Sequence, residues 1–229
     1  AGFAPDVRGQ ALFFSRRARP ENGVYLDGDT IYAAENGRSE PLMRRADIRL
    51  MGLHNVENYM AAAAAVRGLV SPQNIRGVAR AFGGVEHRME FVREVRGVSW
   101  YNDSIATSPT RTLAGLRAYP KKIILLAGGY DKKIPFEPMA ADVLAHARLL
   151  ILTGVTAPKI EAAVRAHPDF EKSGLEILHA RDLAESVSLA AENARAGDIV
   201  ALSPACASFD KYPNFEARGS HFKSLVDAL

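Results

Sequence analysis

Four short, largely apolar runs recur through the second half of the chain, at 123–127, 149–153, 175–178 and 199–202, with helix-like stretches near 137–146, 158–166 and 182–195 between them. A strand buried on both faces has no solvent face to alternate with, so it reads as a nearly unbroken apolar run. A hairpin turn cannot contain a whole helix, whereas the crossover between two parallel strands commonly does. The alternation therefore predicts an α/β domain: a Rossmann-like, doubly wound, mostly parallel sheet with helices on both faces. Segments 91–95 and 98–102 add a hairpin around Arg96-Gly97. Ser108 as N-cap and Pro109 at the first helical position start a helix over 110–119, and 216–229 closes the domain as another helix.

The first part of the chain has a different texture. Residues 24–26 and 30–32 flank Asp27-Gly28-Asp29 as a hairpin, and Asp47-Ile48-Arg49-Leu50 alternates as a further short strand. Five consecutive alanines, Ala61 to Ala65, mark a helix over 55–69, and Pro72 and Gly77 bracket a second, shorter one. Phe82-Gly83-Gly84 reads as a hinge. Two domains follow, 1–84 and 85–229.

Composition narrows the class. With 48% apolar and 24% charged residues the chain is an ordinary globular protein, not a disordered, collagen-like or disulfide-stapled one. The 29 basic and 26 acidic residues leave a formal charge of +3. The basic residues are scattered as pairs such as Arg16-Arg17 and Lys121-Lys122, so no basic stripe argues for nucleic acid. One cysteine, Cys206, fits a reducing compartment, and no apolar run reaches membrane-span length. The start, Ala1-Gly2-Phe3-Ala4-Pro5, lacks the features of a secretory signal, which makes the cytoplasm the expected location.

In an open α/β sheet ligands bind beyond the carboxyl ends of the strands, so those loops are where chemistry is sought. A cleft lined by Asp103, Lys132 and Ser208 is the expectation. Asp103-Ser104 and Thr107-Ser108-Pro109 put a carboxylate, hydroxyls and free N–H groups in one turn, suited to ribose or an anion, or equally to ordinary helix capping. Lys132, after Gly128-Gly129, suits a carboxylate ligand, although spacing does not separate it from Lys133. In Ser203 to Ser208 the alanines leave room for a ligand while a hydroxyl and backbone N–H groups bind a carboxylate. Asn55 and Asn58 share one face of the alanine-rich helix and could read an adenine edge; the plainer alternative makes Asn55 an N-cap and Asn58 a solvated side chain. Arg88 is either a phosphate-binding cation or a surface charge. Cys206 has no histidine placed to activate it, and the six histidines show no metal-ligand spacing. Neither a G-x-x-x-x-G-K-[ST] loop nor a G-x-G-x-x-G fingerprint is present.

Taken together, Gly52-Leu53-His54-Asn55-Val56-Glu57-Asn58, His87-Arg88-Met89-Glu90, Tyr101-Asn102-Asp103-Ser104, Gly128-Gly129-Tyr130-Asp131-Lys132, Leu202 through Asp210 and Asn214 through Gly219 resemble the Mur ligases, and most closely their D-glutamate-adding members. The resemblance implies the end of a central ATP-binding domain, up to about Gly84, followed by the whole C-terminal domain. It implies a cytoplasmic peptidoglycan-precursor enzyme: ATP phosphorylates the carboxylate of UDP-MurNAc-L-alanine, and the amine of D-glutamate attacks the acyl phosphate. By motif, Asn55 and Asn58 match the adenine-binding pair, and Arg88 and Asp103 match contacts to the ATP ribose and phosphates. Thr107, Lys132, Ser208 and Phe215 match positions around D-glutamate, with Phe209 acting through its backbone. The family's magnesium ligands lie mainly outside this chain, so no metal ligand, no catalytic residue and no protein partner is assigned within it. One departure stands out: where the family usually has Lys-Ala-Thr-Asn, this chain has Ile105-Ala106-Thr107-Ser108, so the lysine's ionic role does not carry over. Other readings are a Mur-type ligase for another amino acid, a folylpolyglutamate-type ligase, a Rossmann oxidoreductase, disfavoured by the missing glycine fingerprint, and a non-catalytic binding domain.

Overall fold

The computed structural model describes residues 8–229, so the start of the chain, on which the absence of a signal was argued, lies outside the described residues. The chain divides into two compact units, one ending at Gly83 and the other spanning Gly84–Leu229.

The first unit holds a sheet of β1 (Phe13–Ser15), β2 (Gly23–Asp27), β3 (Thr30–Glu35) and β4 (Arg38–Arg44) in that order. β1 and β2 run parallel, and the other pairs are antiparallel. The hairpin around Asp27-Gly28-Asp29 is present, with Asp27 opposite Thr30. Two helices, α1 (Leu53–Ala65) and α2 (Pro72–Ala81), pack on it, and Met60, Val56 and Ala79 join Val24, Ile31 and Met43 in one apolar cluster. Segment 47–50 is not a strand. A 3-10 turn occupies Arg45–Asp47, because the Asp47 carboxylate accepts the Arg44 N–H at 2.9 Å and pairs with Arg80 at 2.8 Å. Ile48 still enters the core, without a ladder. Helix α2 also runs through Gly77 instead of ending there: a helical glycine costs about 1 kcal/mol, which the Ser71 cap and the buried Ala79 offset.

The second unit is a six-stranded sheet: β5 (Glu90–Val95), β6 (Val98–Asn102), β7 (Ile123–Gly128), β8 (Ala147–Thr153), β9 (Glu176–His179) and β10 (Ile199–Leu202), in the order β5-β6-β10-β7-β8-β9. Only the β5–β6 pair is antiparallel. The helices are α3 (Pro109–Leu116), α4 (Glu137–His146), α5 (Ala157–Arg165), the short α6 (Phe170–Ser173), α7 (Leu183–Asn193) and α8 (Phe215–Asp227). Every residue of β7 and β10 is buried, as expected of strands covered on both faces. Ile124, Leu126, Val200 and Leu202 form one cluster with Leu183 and Val187 of α7 and Phe222 and Val226 of α8, which places these two helices on the same face. Side chains alternate along a strand, so Leu125 and Ala201 face the opposite layer, where α3, α4 and α5 lie side by side.

Topology follows from the right-handed rule for parallel crossovers. The chain steps outward from β6 through β7 and β8 to β9, then returns by α7 to insert β10 beside β6 and β7. The reversal sends α7 and α8 to the other face. The helices that follow β7 and β10 thus lie on opposite faces, the switch point at which an open α/β sheet forms its crevice, while the two loops meet at the carboxyl edge, where the Gly128 N–H donates to the Pro204 carbonyl at 2.8 Å. An isolated bridge between Tyr130 and Ala207 ties the two loops together.

Candidate active site

Arg88 and Asp103 come together at the mouth of β6. The β5–β6 register sets Glu90 opposite Asn102, so the turn preceding β5 lies against the loop leaving β6. Asp103 receives the Met89 N–H at 3.2 Å and the Ser203 hydroxyl at 2.7 Å. These bonds draw its side chain inward until the residue is only 4% exposed. Burial pushes its carboxyl up to about 6, against the opposing pull of Ser203, Met89 and the positive charges of Arg88 and Arg111. Arg88 itself is exposed. Arg111 also donates to the carbonyl of Ile105 at 3.4 Å, so a guanidinium stands beside the position where the family usually has its lysine.

Thr107 and Lys132 also meet: the Lys132 Nζ lies 3.4 Å from the Thr107 hydroxyl. Gly129 makes the preceding turn possible. Its φ is +143°, and a Cβ there would stand 2.5 Å from the Ala207 carbonyl oxygen. The Thr156 hydroxyl holds both the N–H and the carbonyl of Gly129, at 3.0 and 3.1 Å. The two lysines, which spacing does not separate, differ in their contacts: Lys132 reaches across to Thr107, while Lys133 takes a left-handed backbone and donates its N–H to Asp131.

The loop after β10 is buried from Ser203 to Ser208. Arg218, on α8 and 4% exposed, secures it. Its guanidinium donates to the carbonyls of Ser104, Cys206 and Ala207 at 2.9 to 3.1 Å and to the Ser104 hydroxyl at 3.0 Å. Desolvation lowers the pKa of this arginine to about 10. The Ser208 carbonyl accepts the Lys211 and Tyr212 N–H groups at 3.0 and 2.8 Å. Phe209 is 65% exposed and meets Tyr130 edge to face at 6.0 Å. Phe215, the first residue of α8, lies edge-on to His87 behind the Asn214 cap. Cys206 is a core residue whose thiol burial pushes up to about 11.

The expected open cleft lined by Asp103, Lys132 and Ser208 is therefore modified. Lys132 is exposed at the crevice, but Asp103 and Ser208 lie beneath its surface, Asp103 drawn in by its bonds to Met89 and Ser203. A cavity of about 290 Å³ opens on the α7 and α8 side, between Gly129, Ser186, Asp210 and Arg218, and none of the sequence-predicted residues lines it. Glu86, His87 and Glu90 converge closely enough for a cation, yet Lys223 already bridges both carboxylates and His87 Nδ1 is engaged by Asn102. This donor set does not fit a magnesium ion.

In the first unit Asn55 and Asn58 sit side by side near the start of α1. The Asn55 amide donates to the Met51 carbonyl at 2.7 Å, and Asn58 donates to Asn55 Oδ1 at 3.3 Å. Gly52, not Asn55, is the N-cap. Sequence reasoning assigned no role to Arg218 or Asn102. Both stand inside the quoted motifs, but their partners lie up to 117 residues away.

Residues 87–206 match the family described as Mur ligase, glutamate ligase domain. The chain is 50% identical over 232 residues to a protein of Symbiobacterium thermophilum and 45% identical over 231 residues to one of Acetivibrio thermocellus, both named UDP-N-acetylmuramoylalanine--D-glutamate ligase. Each alignment covers 99% of this chain and 50% or 49% of the relative, so the chain spans about half the length of these curated relatives. Two solved structures share the fold. A pseudomurein peptide ligase type C from Methanothermus fervidus superposes with a TM-score of 0.64 at 14% identity, over 93% of this chain and 42% of that one. Mycobacterium tuberculosis folylpolyglutamate synthase complexed with ADP gives 0.59 at 13% identity, over 86% and 44%. The match to the glutamate ligase domain and the motif geometry agree: the chain belongs to the Mur ligase family.

Proposed function

We propose that this chain is the nucleotide- and amino-acid-binding portion of a cytoplasmic ligase that joins D-glutamate to UDP-MurNAc-L-alanine at the expense of ATP. The observation that carries this reading is the 45–50% identity, over nearly the whole chain, to relatives named for that reaction. Among the described residues no helix is long and apolar enough to cross a membrane, which fits work on water-soluble substrates.

The reaction has two steps. A carboxylate oxygen of the acceptor attacks the γ-phosphorus of ATP and ADP leaves. The D-glutamate amine, having lost its proton, then attacks the acyl carbon and phosphate departs as the amide forms. In this reading Asn55 and Asn58 hold the adenine, while Arg88, with Asp103 at its side, engages ribose and phosphate. Lys132 supplies the charge for a D-glutamate carboxylate, Thr107 and Ser208 its hydroxyl donors, and Phe209 and Phe215 its surroundings. Lys132 is exposed, so its head group can leave Thr107 for a ligand at little cost.

Lys132→Ala in the complete ligase tests the amino-acid half. A hydrogen bond to a charged group contributes roughly 1.5–3 kcal/mol, so the KM for D-glutamate is expected to rise about 10- to 100-fold with the KM for ATP nearly unchanged. An unchanged D-glutamate KM removes Lys132 from the site.

A further inference from the structure

We infer that Asn102 and Gly219 are positioning residues for the nucleotide: they lock the His87 imidazole, and through it the turn that holds Arg88 beside Asp103. The inference rests on the reading of Arg88 as a nucleotide contact. Its starting point is backbone strain. The residues on either side of Arg88, His87 and Met89, both adopt left-handed backbone, at φ +62° and +44°, which non-glycine residues avoid and which persists only where the surroundings impose it.

The surroundings do impose it. The His87 N–H donates to Glu90 Oε2 at 2.9 Å and its carbonyl accepts the Ile105 N–H at 3.1 Å. The Arg88 N–H closes the turn on Val85 at 3.1 Å, and the Met89 N–H ends on Asp103. Four backbone groups from His87 to Met89 are thus satisfied, three of them by Glu90 or by the segment that carries Asp103.

Asn102 joins these bonds to the side chain of His87. It is fully buried. Its Oδ1 accepts the Ser104 N–H at 3.1 Å, while its amide donates to His87 Nδ1 at 2.9 Å and to Glu90 Oε2 at 3.0 Å. Donation to Nδ1 makes that nitrogen the acceptor and leaves the ring proton on Nε2, directed toward Glu86 at 3.8 Å. Against the same Nδ1 edge of the ring is Gly219, in the interior of α8, where glycine is a poor helix former. A Cβ at that position would stand 2.2 Å from His87 Nδ1 and 3.0 Å from the Asn102 amide nitrogen, so only glycine lets the helix approach this closely. One turn further along, Lys223 holds Glu90 Oε1 at 3.1 Å and completes the enclosure. None of these groups faces the crevice as a ligand contact. What they share is the orientation of the turn that bears Arg88.

Two measurements on the complete ligase decide the matter. In Asn102→Ala and in Gly219→Ala the KM for ATP is expected to rise at least tenfold while the KM for D-glutamate stays within twofold. In the His87→Ala background, where the ring that collides with a new methyl is gone, adding Gly219→Ala is expected to change nothing further. Equal rises in both KM values, or an additive effect in the double variant, overturn the inference. The second measurement needs no turnover. Native-state hydrogen exchange of the Arg88 and Met89 amides is expected to accelerate at least tenfold in Asn102→Ala, with the α4 and α5 amides unchanged. Unaltered protection overturns the clamp, and faster exchange without a shift in the ATP KM overturns its positioning role. If the wild-type ligase shows no ATP-dependent incorporation of D-glutamate, the ligase reading fails, and hydrogen exchange together with direct titration of ADP into wild type and Asn102→Ala still decides whether the clamp orders a nucleotide site.

Discussion

Asp103 shows how a carboxylate can be retained at a site at a cost to stability. Its pKa of about 6 in the folded chain stands against an ordinary value of 3.8, so the native state binds the proton more tightly than the unfolded chain does. Stability contributed by this group is therefore present below about pH 4 and is lost as pH rises toward 6, by roughly 3 kcal/mol for a shift of about two units. Asp103→Asn removes the charge and keeps a carbonyl oxygen for the Met89 N–H. The variant is expected to show a smaller fall in Tm between pH 4.5 and pH 8 than the wild type, and weaker nucleotide binding; an identical pH dependence of Tm contradicts this assignment. The motif singled out Asp103 as a candidate site residue. Its burial was not legible, because that depends on Ser203, a hundred positions later in the chain. Gly219 is similar: sequence shows a glycine inside a helix, and only the fold reveals the imidazole against it.

The secondary structure of the second unit was read closely from apolar runs, because runs of four or five residues are too short for buried helices and are spaced by helix-length segments. The first unit was read less well. Asp47-Ile48-Arg49-Leu50 has the alternation of a strand, yet the Asp47 carboxylate is captured by the Arg44 N–H and by Arg80, which closes a turn instead. Strands β1 and β4 escaped notice because Phe13 and Phe14 are exposed and Arg38–Arg44 is polar over most of its length. Caps were read less well: Ser108 stands at the N-cap of α3 but its side chain makes no cap bond, whereas Asn214, to which the sequence reading gave no such role, makes one that carries a testable energy. Asn214 Oδ1 accepts the Ala217 N–H at 2.8 Å and starts α8, the helix that bears Gly219, Arg218 and Lys223. Asn214→Ala is expected to cost about 1 kcal/mol in urea unfolding, and Asn214→Asp close to nothing. Equal losses in the two variants would mean that the cap bond does not stabilise the helix.

The second unit is organised around β10, the last strand in sequence and a central one in space. Its insertion between β6 and β7 brings the loop ending in Ser208 next to the loop bearing Lys132, and Arg218 ties the former to Ser104. Function here requires the sheet to close correctly, so a core substitution far from the crevice should act through stability alone. Ile151, fully buried in β8, is such a position: Ile151→Ala is expected to cost about 2–5 kcal/mol, with the KM values of the surviving folded protein unchanged. The fold class and the family were legible from the sequence, since both rest on patterns contiguous in the chain. The Lys132–Thr107 contact, the enclosure of His87 and the depth of Asp103 were not, since each depends on pairings set by the order of the strands. The reaction proposed for the complete ligase joins D-glutamate to UDP-MurNAc-L-alanine, and this chain spans about half the length of the relatives named for it. That proposal is tested most directly by ATP-dependent incorporation of radiolabelled D-glutamate into UDP-MurNAc-L-alanine, with the complete protein and this chain assayed side by side. Incorporation by the complete protein and none by the chain alone is the predicted result; no incorporation by the complete protein, or turnover by this chain without the rest, would contradict it.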